Sequence, residues 1–391
     1  MKRIVICCDG TWNTGEQRNP TNVVKTYEAV LPRAPDGTVQ DRYYHPGVGT
    51  LSLIDRLPGG VFGAGLWKNV QETYRYIVDT YEAGDELFFF GFSRGAYTVR
   101  STVGMIRNCG ILRRDRSEPE RRKLIEEAYN HYRSKLKPDA PATEMFRSKN
   151  CVPFPDGLFK DVPSVKFVGV WDTVGALGIP VGLLGTIWNR RYRFHDVSLS
   201  RIVENAYHAL AIDEKRGSFR PTLWEQHPYA KDQKLEQRWF AGVHTNVGGG
   251  SPDSFQSDWT LRWIIGKAQE CDLAFDEGYV ESQIEDDPDG WISESRKGLW
   301  RWLSSLSRPI GKGVPPKETT YLAGTSNEVV DPAVVARNVR DPSYMPLNLV
   351  AYFRENPSAL GAARKSREGA HAGRNGTALG GGPGQVVGDD P

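Results

Sequence analysis

The chain has 391 residues, and its 39% hydrophobic and 25% charged content is typical of a folded globular protein rather than a disordered one. Lysine plus arginine (50) nearly cancel aspartate plus glutamate (48), so the net charge of +2 gives no reason to expect nucleic acid as a partner. The five cysteines lack CxxC spacing, so we predict neither a disulfide framework nor a zinc cluster, and a reducing compartment is favoured.

The amino terminus and the hydropathy pattern give no sign of a leader or a membrane span. The apolar run at residues 4–8 is shorter than the apolar core of a signal peptide, and Asp9 ends it. Nowhere does an apolar run reach the roughly 18 residues that a transmembrane helix needs. We therefore expect a soluble, cytoplasmic protein, with export by a secretion machine that uses no signal peptide as the alternative.

Strands and helices are predicted to alternate along most of the chain. Short apolar runs predict buried strands that end at Cys8, His45, Phe90, Trp171 and Val243. Helical periodicity and capping residues predict helices over about 21–31, 66–81, 96–108, 118–137, 200–213 and 258–270. This alternation predicts an α/β fold, a mostly parallel sheet with helices on both faces.

Three stretches fall outside the alternation. Residues 176–192 are rich in Gly, Ile, Leu and Trp, and residues 275–325 are first acidic and then basic and aromatic. We interpret both as insertions that form a cap or lid. From residue 356 onward Gly, Ala, Arg and Pro replace the large apolar residues, which predicts a disordered tail over 356–391. One domain is therefore expected over 1–355.

A serine stands between a predicted strand and a predicted helix, in Gly91-Phe92-Ser93-Arg94-Gly95. This is the context of the G-x-S-x-G nucleophile elbow, in which glycines allow strand and helix to approach closely and the serine Oγ to project outward. The alternative is an ordinary turn between strand and helix. The context makes Ser93 the candidate nucleophile.

A serine nucleophile needs a base and an acid that orients the base, and in α/β-hydrolases the chain order is Ser, Asp or Glu, then His. Asp172 and His244 each follow a predicted strand, in that order. Asp172 could instead form a turn with its own backbone, and His244 could be a capping or core residue. Asp213 and Asp253 are the reserve acids. His45 precedes the serine and is expected to line the pocket or to cap a turn.

The oxyanion of an acyl-transfer intermediate needs preset N–H donors, each worth about 3–4 kcal/mol of barrier. The backbone amide of Arg94, directly after the candidate nucleophile, is one expected donor. Gly10 and Thr11, after the first predicted strand, are candidates for the second. The alternative for that loop is a plain turn with Asp9 as a helix cap, and residues 47–49 are a weaker competitor.

Other chemistries lack a required residue. An Asp-x-Asp-Gly-Thr phosphatase loop would need its nucleophile at Cys7, and no Walker A loop follows Gly60 or Gly65. The glycines at 248–250 do not continue into a dinucleotide motif, and the His-Glu-x-x-His pattern does not occur. We therefore predict no cofactor and no metal.

Five segments, in this order along the chain, carry a family resemblance: residues 8–13, 47–50, 91–96, 171–174 and 242–250. They resemble the DUF2235 hydrolases, a family that includes the catalytic domain of Tle1-like type VI secretion phospholipase effectors. The resemblance covers about residues 1–355. It implies an α/β-hydrolase fold and a triad that falls on Ser93, Asp172 and His244. Activity on phospholipid acyl esters is implied for the effector branch, and family members often have Asp where Asn246 stands.

The resulting expectation is a serine esterase or lipase that acts through an acyl-enzyme on an ester or lipid substrate, and the alternative is a catalytically idle interaction module. Apolar residues 179–188 are expected to form a lid or acyl-pocket wall, or else a buried helix. Residues 299–306 are expected to be a surface helix with its tryptophans in the core. The alternative is that this segment, with Arg296, Lys297, Arg301 and Arg308 beside it, contacts an anionic lipid surface.

Overall fold

The fold is that of a computed structural model. It describes residues 1–10, 18–47, 61–134, 136–154, 157–174, 198–227, 229–285, 287, 289–296, 301–302, 305–313 and 326–358. The strands of the sheet are Arg3–Cys8 (β1), Gln40–His45 (β2), Glu86–Phe92 (β3), Val165–Trp171 (β4), Val203–Ala211 (β5), Lys234–Phe240 (β6) and Glu328–Val330 (β7). The helices are Asn22–Ala29 (α1), Val61–Thr80 (α2), Arg94–Cys109 (α3), Glu118–Arg133 (α4), Pro141–Asn150 (α5), His244–Gly248 (α6), Phe255–Gln269 (α7), Glu277–Gln283 (α8), Pro332–Arg340 (α9) and Leu347–Glu355 (α10).

The strands form one sheet in the order β2-β1-β3-β4-β5-β6-β7, and every pairing is parallel. The register brings the carboxyl ends of the strands to one edge, where Cys8 pairs with both His45 and Gly91, and Trp171 pairs with Ala209. Ligands of open α/β sheets bind at this edge, and the loops after β1, β3, β4, β5 and β6 all begin there.

Side chains that alternate along each strand bury two apolar layers, one on each face of the sheet. Ile4, Ile6 and Phe89 pack with α2, α3 and α4 on one face, whereas Val5 and Phe88 pack with α1 and α7 on the other. The predicted α/β fold with helices on both faces is therefore confirmed.

A third apolar cluster holds the later part of the chain against the far end of the sheet. Trp239 of β6 packs there with Ile310, with Val334 of α9 and with Leu349 of α10. The segment 305–313, which lies within the predicted insertion over 275–325, is thereby fixed near the ends of β5 and β6.

The predicted helix over 200–213 is wrong, because residues 203–211 form strand β5. The segment contains Ala206, Ala209 and Ala211, and alanine favours helices. Burial overrides that preference, because β5 pairs with β4 on one side and β6 on the other and has every residue but one buried.

Several predicted features lie wholly or partly outside the described residues. The apolar stretch 176–192 is one of them, and so are residues 314–325 of the second insertion and the tail from residue 359. Within the ranges given above, no helix combines the length and apolar character needed to cross a bilayer.

Candidate active site

Ser93 lies in a strained turn between β3 and α3. Its φ of 55° and ψ of −118° place it in a region that residues with a Cβ rarely adopt. A Cβ on Gly91 would come within 2.7 Å of the Ala96 Cα, and one on Gly95 would collide with the carbonyl oxygens of Cys8 and Asp9. The two glycines therefore allow the close packing that the turn requires.

The structure brings Ser93, Asp172 and His244 together at the carboxyl edge of the sheet. The Nε2 atom of His244 lies 2.9 Å from the Oγ atom of Ser93, and its Nδ1 atom lies 2.6 Å from the Oδ2 atom of Asp172. The Asp172 carboxylate can only accept, so the partners assign the proton to Nδ1 and leave Nε2 to accept from the serine hydroxyl. All three residues are buried.

Asp172 is fixed by several donors. It has a positive φ of 37°, and the amide of Ala211 donates to its Oδ1 atom at 3.1 Å. The guanidinium of Arg308 donates to both carboxylate oxygens, at 2.7 Å to Oδ1 and 3.0 Å to Oδ2. Burial opposes the charged form of this carboxyl, but Arg308 and His244 outweigh it and hold the pKa of Asp172 far below its usual range.

Sequence reasoning missed Arg308 as part of this site and grouped it instead with the basic residues of a lipid-contacting surface, which its complete burial rules out. Arg308 comes from an irregular segment, 136 residues after Asp172, and no motif surrounds it. A lone arginine outside a predicted helix or strand gives no periodicity or spacing that could have identified it.

His244 lies between two aromatic rings. The Phe92 ring is 4.6 Å away and tilted, and the Phe219 ring is 4.9 Å away, edge to face. Burial lowers the pKa of His244 below its ordinary value even though Asp172 favours the charged form. The imidazole is therefore neutral at pH 7, as a general base must be.

The two predicted oxyanion donors that the structure describes are the backbone amides of Gly10 and Arg94, and they differ in their hydrogen-bond partners and position. The Gly10 amide donates to the Oδ1 atom of its neighbour Asp9 at 2.6 Å, and the Oδ2 atom of Asp9 accepts from Thr21 and Tyr44. Arg94 is the first residue of α3, so its amide lies at the positive end of the helix dipole. Thr11 and residues 48–49 lie outside the described residues.

Asp9 does not cap α1. Helix α1 begins after Thr21, whose hydroxyl oxygen accepts from the amide of Val24. Asp9 instead links the loop after β1 to the start of α1 and the end of β2.

The other sequence candidates have structural partners of their own. Asp213 accepts from the amide of Gly242 at 2.7 Å and from the hydroxyl of Tyr344 at 2.9 Å, rather than from His244. Asp253 accepts from the amide of Phe255. His45 contacts a carboxylate oxygen of Glu72 and the carbonyl of Pro46.

Asn246 links the turn that carries His244 to the segment 289–296. Its Oδ1 atom accepts from the amides of Val243 (3.2 Å) and Ser293 (2.9 Å), and its Nδ2 atom donates to the carbonyl of Trp291 at 3.4 Å. Aspartate would keep both acceptor contacts and lose the donor. Asn246 therefore holds the turn of His244 against the segment 289–296 through both acceptor and donor hydrogen bonds.

Large aromatic side chains are exposed on two segments of the chain. Trp291 is 70% exposed and Trp302 is 85% exposed. The predicted burial of the tryptophans in the 299–306 segment is therefore wrong for Trp302, and Trp300 is outside the described residues. Among the residues the structure describes, no group of three or more His, Cys, Asp or Glu side chains is arranged to hold a metal ion.

A serine at a strained strand-to-helix turn on a parallel sheet, followed in the chain by Asp and then His, is the architecture of the α/β-hydrolases. The chain belongs to the family of Tle1-like type VI secretion phospholipase effectors, because the sequence model of that family's catalytic domain matches residues 2–267.

Three similar proteins extend the comparison. An uncharacterized protein of Saccharomyces cerevisiae, YEL023C, is 28% identical over 243 residues, which are 58% of this chain and 33% of the relative. The chain thus spans about a third of that relative's length. The crystal structure of an uncharacterized protein from Pseudomonas aeruginosa has a TM-score of 0.42 at 17% identity, over 74% of this chain and 49% of that one. The structure of the Tle1 effector bound to the VgrG spike of the type VI secretion system has a TM-score of 0.33 at 16% identity, over 64% and 52%.

Proposed function

We propose that this protein is a serine hydrolase that cleaves carboxylic esters, with Ser93 as nucleophile, His244 as general base and Asp172 as the orienting acid. The observation that carries the proposal is the pair of contacts on one imidazole, 2.9 Å to the serine hydroxyl and 2.6 Å to the carboxylate. A neutral histidine held between these partners has the geometry that nucleophilic catalysis by serine requires.

In the proposed reaction the Ser93 Oγ attacks the ester carbonyl while His244 Nε2 takes the hydroxyl proton. The tetrahedral intermediate collapses, the bond to the alcohol oxygen breaks, and His244 returns its proton to that oxygen. Water then attacks the acyl-enzyme, again giving its proton to His244, and the acid leaves as Ser93 regains a proton. The amide of Arg94, with Gly10 or Thr11, is the proposed set of oxyanion donors.

The proposed substrate is a lipid or phospholipid acyl ester. Family membership supports this class, and so do the exposed indoles of Trp291 and Trp302, which together with Arg296 and Arg301 suit contact with an anionic membrane surface.

Action in the cytoplasm, or after export without a signal peptide, stays a prediction. We also propose residues 1–355 as one catalytic unit, because the third apolar cluster joins α9 and α10 to β6.

The test is labelling by a fluorophosphonate probe together with hydrolysis of matched short-chain esters and phospholipid vesicles. We expect one label per chain, absent in Ser93→Ala, and phospholipid turnover that exceeds short-ester turnover. Labelling that persists unchanged in a folded Ser93→Ala variant would reject Ser93 as the nucleophile.

One observation favours the alternative of an idle interaction module. The Gly10 amide, a candidate oxyanion donor, donates to Asp9 at 2.6 Å. An absence of turnover across an acyl-chain panel, in a protein that folds normally, would favour this alternative.

A further inference from the structure

We propose that Arg308 is a positioning residue for this site: its buried guanidinium holds both oxygens of Asp172 in place and withholds part of the carboxylate charge from His244. The inference rests on the proposed function of the Ser93, Asp172 and His244 site. It adds a fourth side chain, from a segment beyond the residues 2–267 that the family model matches.

The hydrogen bonds to the Asp172 carboxylate fix its orientation. Its Oδ1 atom accepts from Arg308 at 2.7 Å and from the Ala211 amide at 3.1 Å. Its Oδ2 atom accepts from Arg308 at 3.0 Å and faces the His244 Nδ1 atom at 2.6 Å. The planar guanidinium fork matches the plane of the carboxylate, so the pair resists rotation in a way that a single ammonium would not.

Arg308 is itself firmly held. Its side chain is fully buried, and its two terminal nitrogens also donate to the carbonyls of Ala211 (2.8 Å) and Phe219. The segment around it is anchored on both sides, because Leu306 donates to the carbonyl of Lys215 at 2.8 Å and Ile310 packs in the third apolar cluster. The guanidinium therefore reaches Asp172 from a fixed backbone.

This charge arrangement also affects the proton affinity of the pair formed by Asp172 and His244. The charged groups that face the pair in the described structure are Arg308, Glu214 and Arg216, and Glu214 and Arg216 pair with each other at 2.7 Å. His208, which accepts from the Thr173 amide, is neutral because burial lowers its pKa to about 3. Without Arg308 the buried carboxylate lacks its cation, so the pair takes up a proton at a higher pH.

The test compares Arg308→Met and Arg308→Lys with wild type. It uses NMR titration of the His244 imidazole, assigned by its loss in His244→Gln, and the pH profile of kcat/KM. For Arg308→Met we expect the midpoint to rise by about one pH unit and kcat to fall more than tenfold with little change in KM. Arg308→Lys keeps the charge, so its midpoint should stay near that of wild type while kcat falls.

Arg147→Met is the matched control. Arg147 is also fully buried, and it donates to three carbonyls, of Asn108, Pro138 and Lys160, away from the site. We expect this variant to lose stability without a change in the His244 midpoint.

An unchanged His244 midpoint in a folded Arg308→Met protein would overturn the proposal. Should that variant fail to fold, Arg308→Gln takes its place and is compared in wild type and in Asp172→Asn, where the loss of Arg308 leaves no uncompensated charge. The shift of the midpoint caused by Arg308→Gln should be less than half as large in Asp172→Asn as in wild type, and an equal shift would overturn the proposal. The titration does not depend on turnover, so failure of Ser93 labelling would reject the proposed function without deciding the role of Arg308.

Discussion

The hydroxyl of Ser93 and the imidazole of His244 lie 2.9 Å apart although 151 residues separate them in the chain. The short distance follows from the register of the sheet, because β3 and β6 end at the same edge. Ser93 lies in the loop after β3, and His244 lies in the loop after β6. A Cβ at Gly248 would collide with the ring of Phe92, so the turn of His244 packs directly on the strand that precedes Ser93.

The acid of the site can be identified by comparing Asp172 with Asp213, the reserve acid. Asp172→Asn should reduce kcat about 10⁴-fold, because the carboxamide no longer fixes the imidazole tautomer. Asp213→Asn is the control, since Asp213 contacts Gly242 and Tyr344 instead of His244. We expect it to lower stability while kcat changes less than tenfold, as measured by steady-state hydrolysis and urea unfolding. Equal losses of kcat in the two variants would contradict the assignment of Asp172.

The pH profile of kcat/KM should have an acid limb below pH 6.5. Burial lowers the pKa of His244 from its ordinary value of 6.5, so the imidazole stays neutral, and able to accept the serine proton, at a lower pH than a free histidine. The midpoint is measured by initial rates between pH 4 and 9 at constant ionic strength. A limb centred above pH 7 would conflict with this prediction.

Stability should fall on acidification because of a second buried histidine. Burial lowers the folded-state pKa of His208 to about 3 from 6.5, so the unfolded chain binds a proton that the folded one excludes. Between those two values the free energy of unfolding should drop by about 1.4 kcal/mol per pH unit from this group. Urea unfolding at several pH values measures the slope, and His208→Gln should make it shallower by that amount. An identical slope in the variant would exclude His208 as the source.

The elbow glycines can be tested against a helical glycine. Gly95→Ala should abolish activity and cost several kcal/mol, because its Cβ would collide with the carbonyls that end β1. In Gly266→Ala, the added Cβ in α7 has no neighbouring atom within 4 Å, and the substitution should stabilise the fold by about 0.5–1 kcal/mol. Thermal unfolding and ester hydrolysis of both variants provide the comparison. A Gly95→Ala protein as stable as wild type would show that the turn can relax.

The positions of five of the seven strands and the residues that follow them could be predicted from the sequence, because short apolar runs mark buried strands and parallel strands place their ends at one edge. That reasoning reached Ser93, Asp172 and His244. It failed for β5, because the alanines of this segment favoured the prediction of a helix, whereas pairing with β4 and β6 makes the segment a strand. It also failed for Trp302, because helical spacing alone does not say whether a second layer covers the segment. Arg308 was out of reach, since its role depends on tertiary contacts alone.

The salt bridge between Arg308 and Asp172 limits where this protein can be cut. A fragment that stops at residue 267 retains the serine, the histidine and the aspartate, but leaves an anion in the protein interior without its counter-ion. Use of this chain as a minimal module, or exchange of segments among relatives, therefore requires the proposed unit through residue 355, so that Asp172, Arg308 and the helices that pack against the segment of Arg308 are all retained.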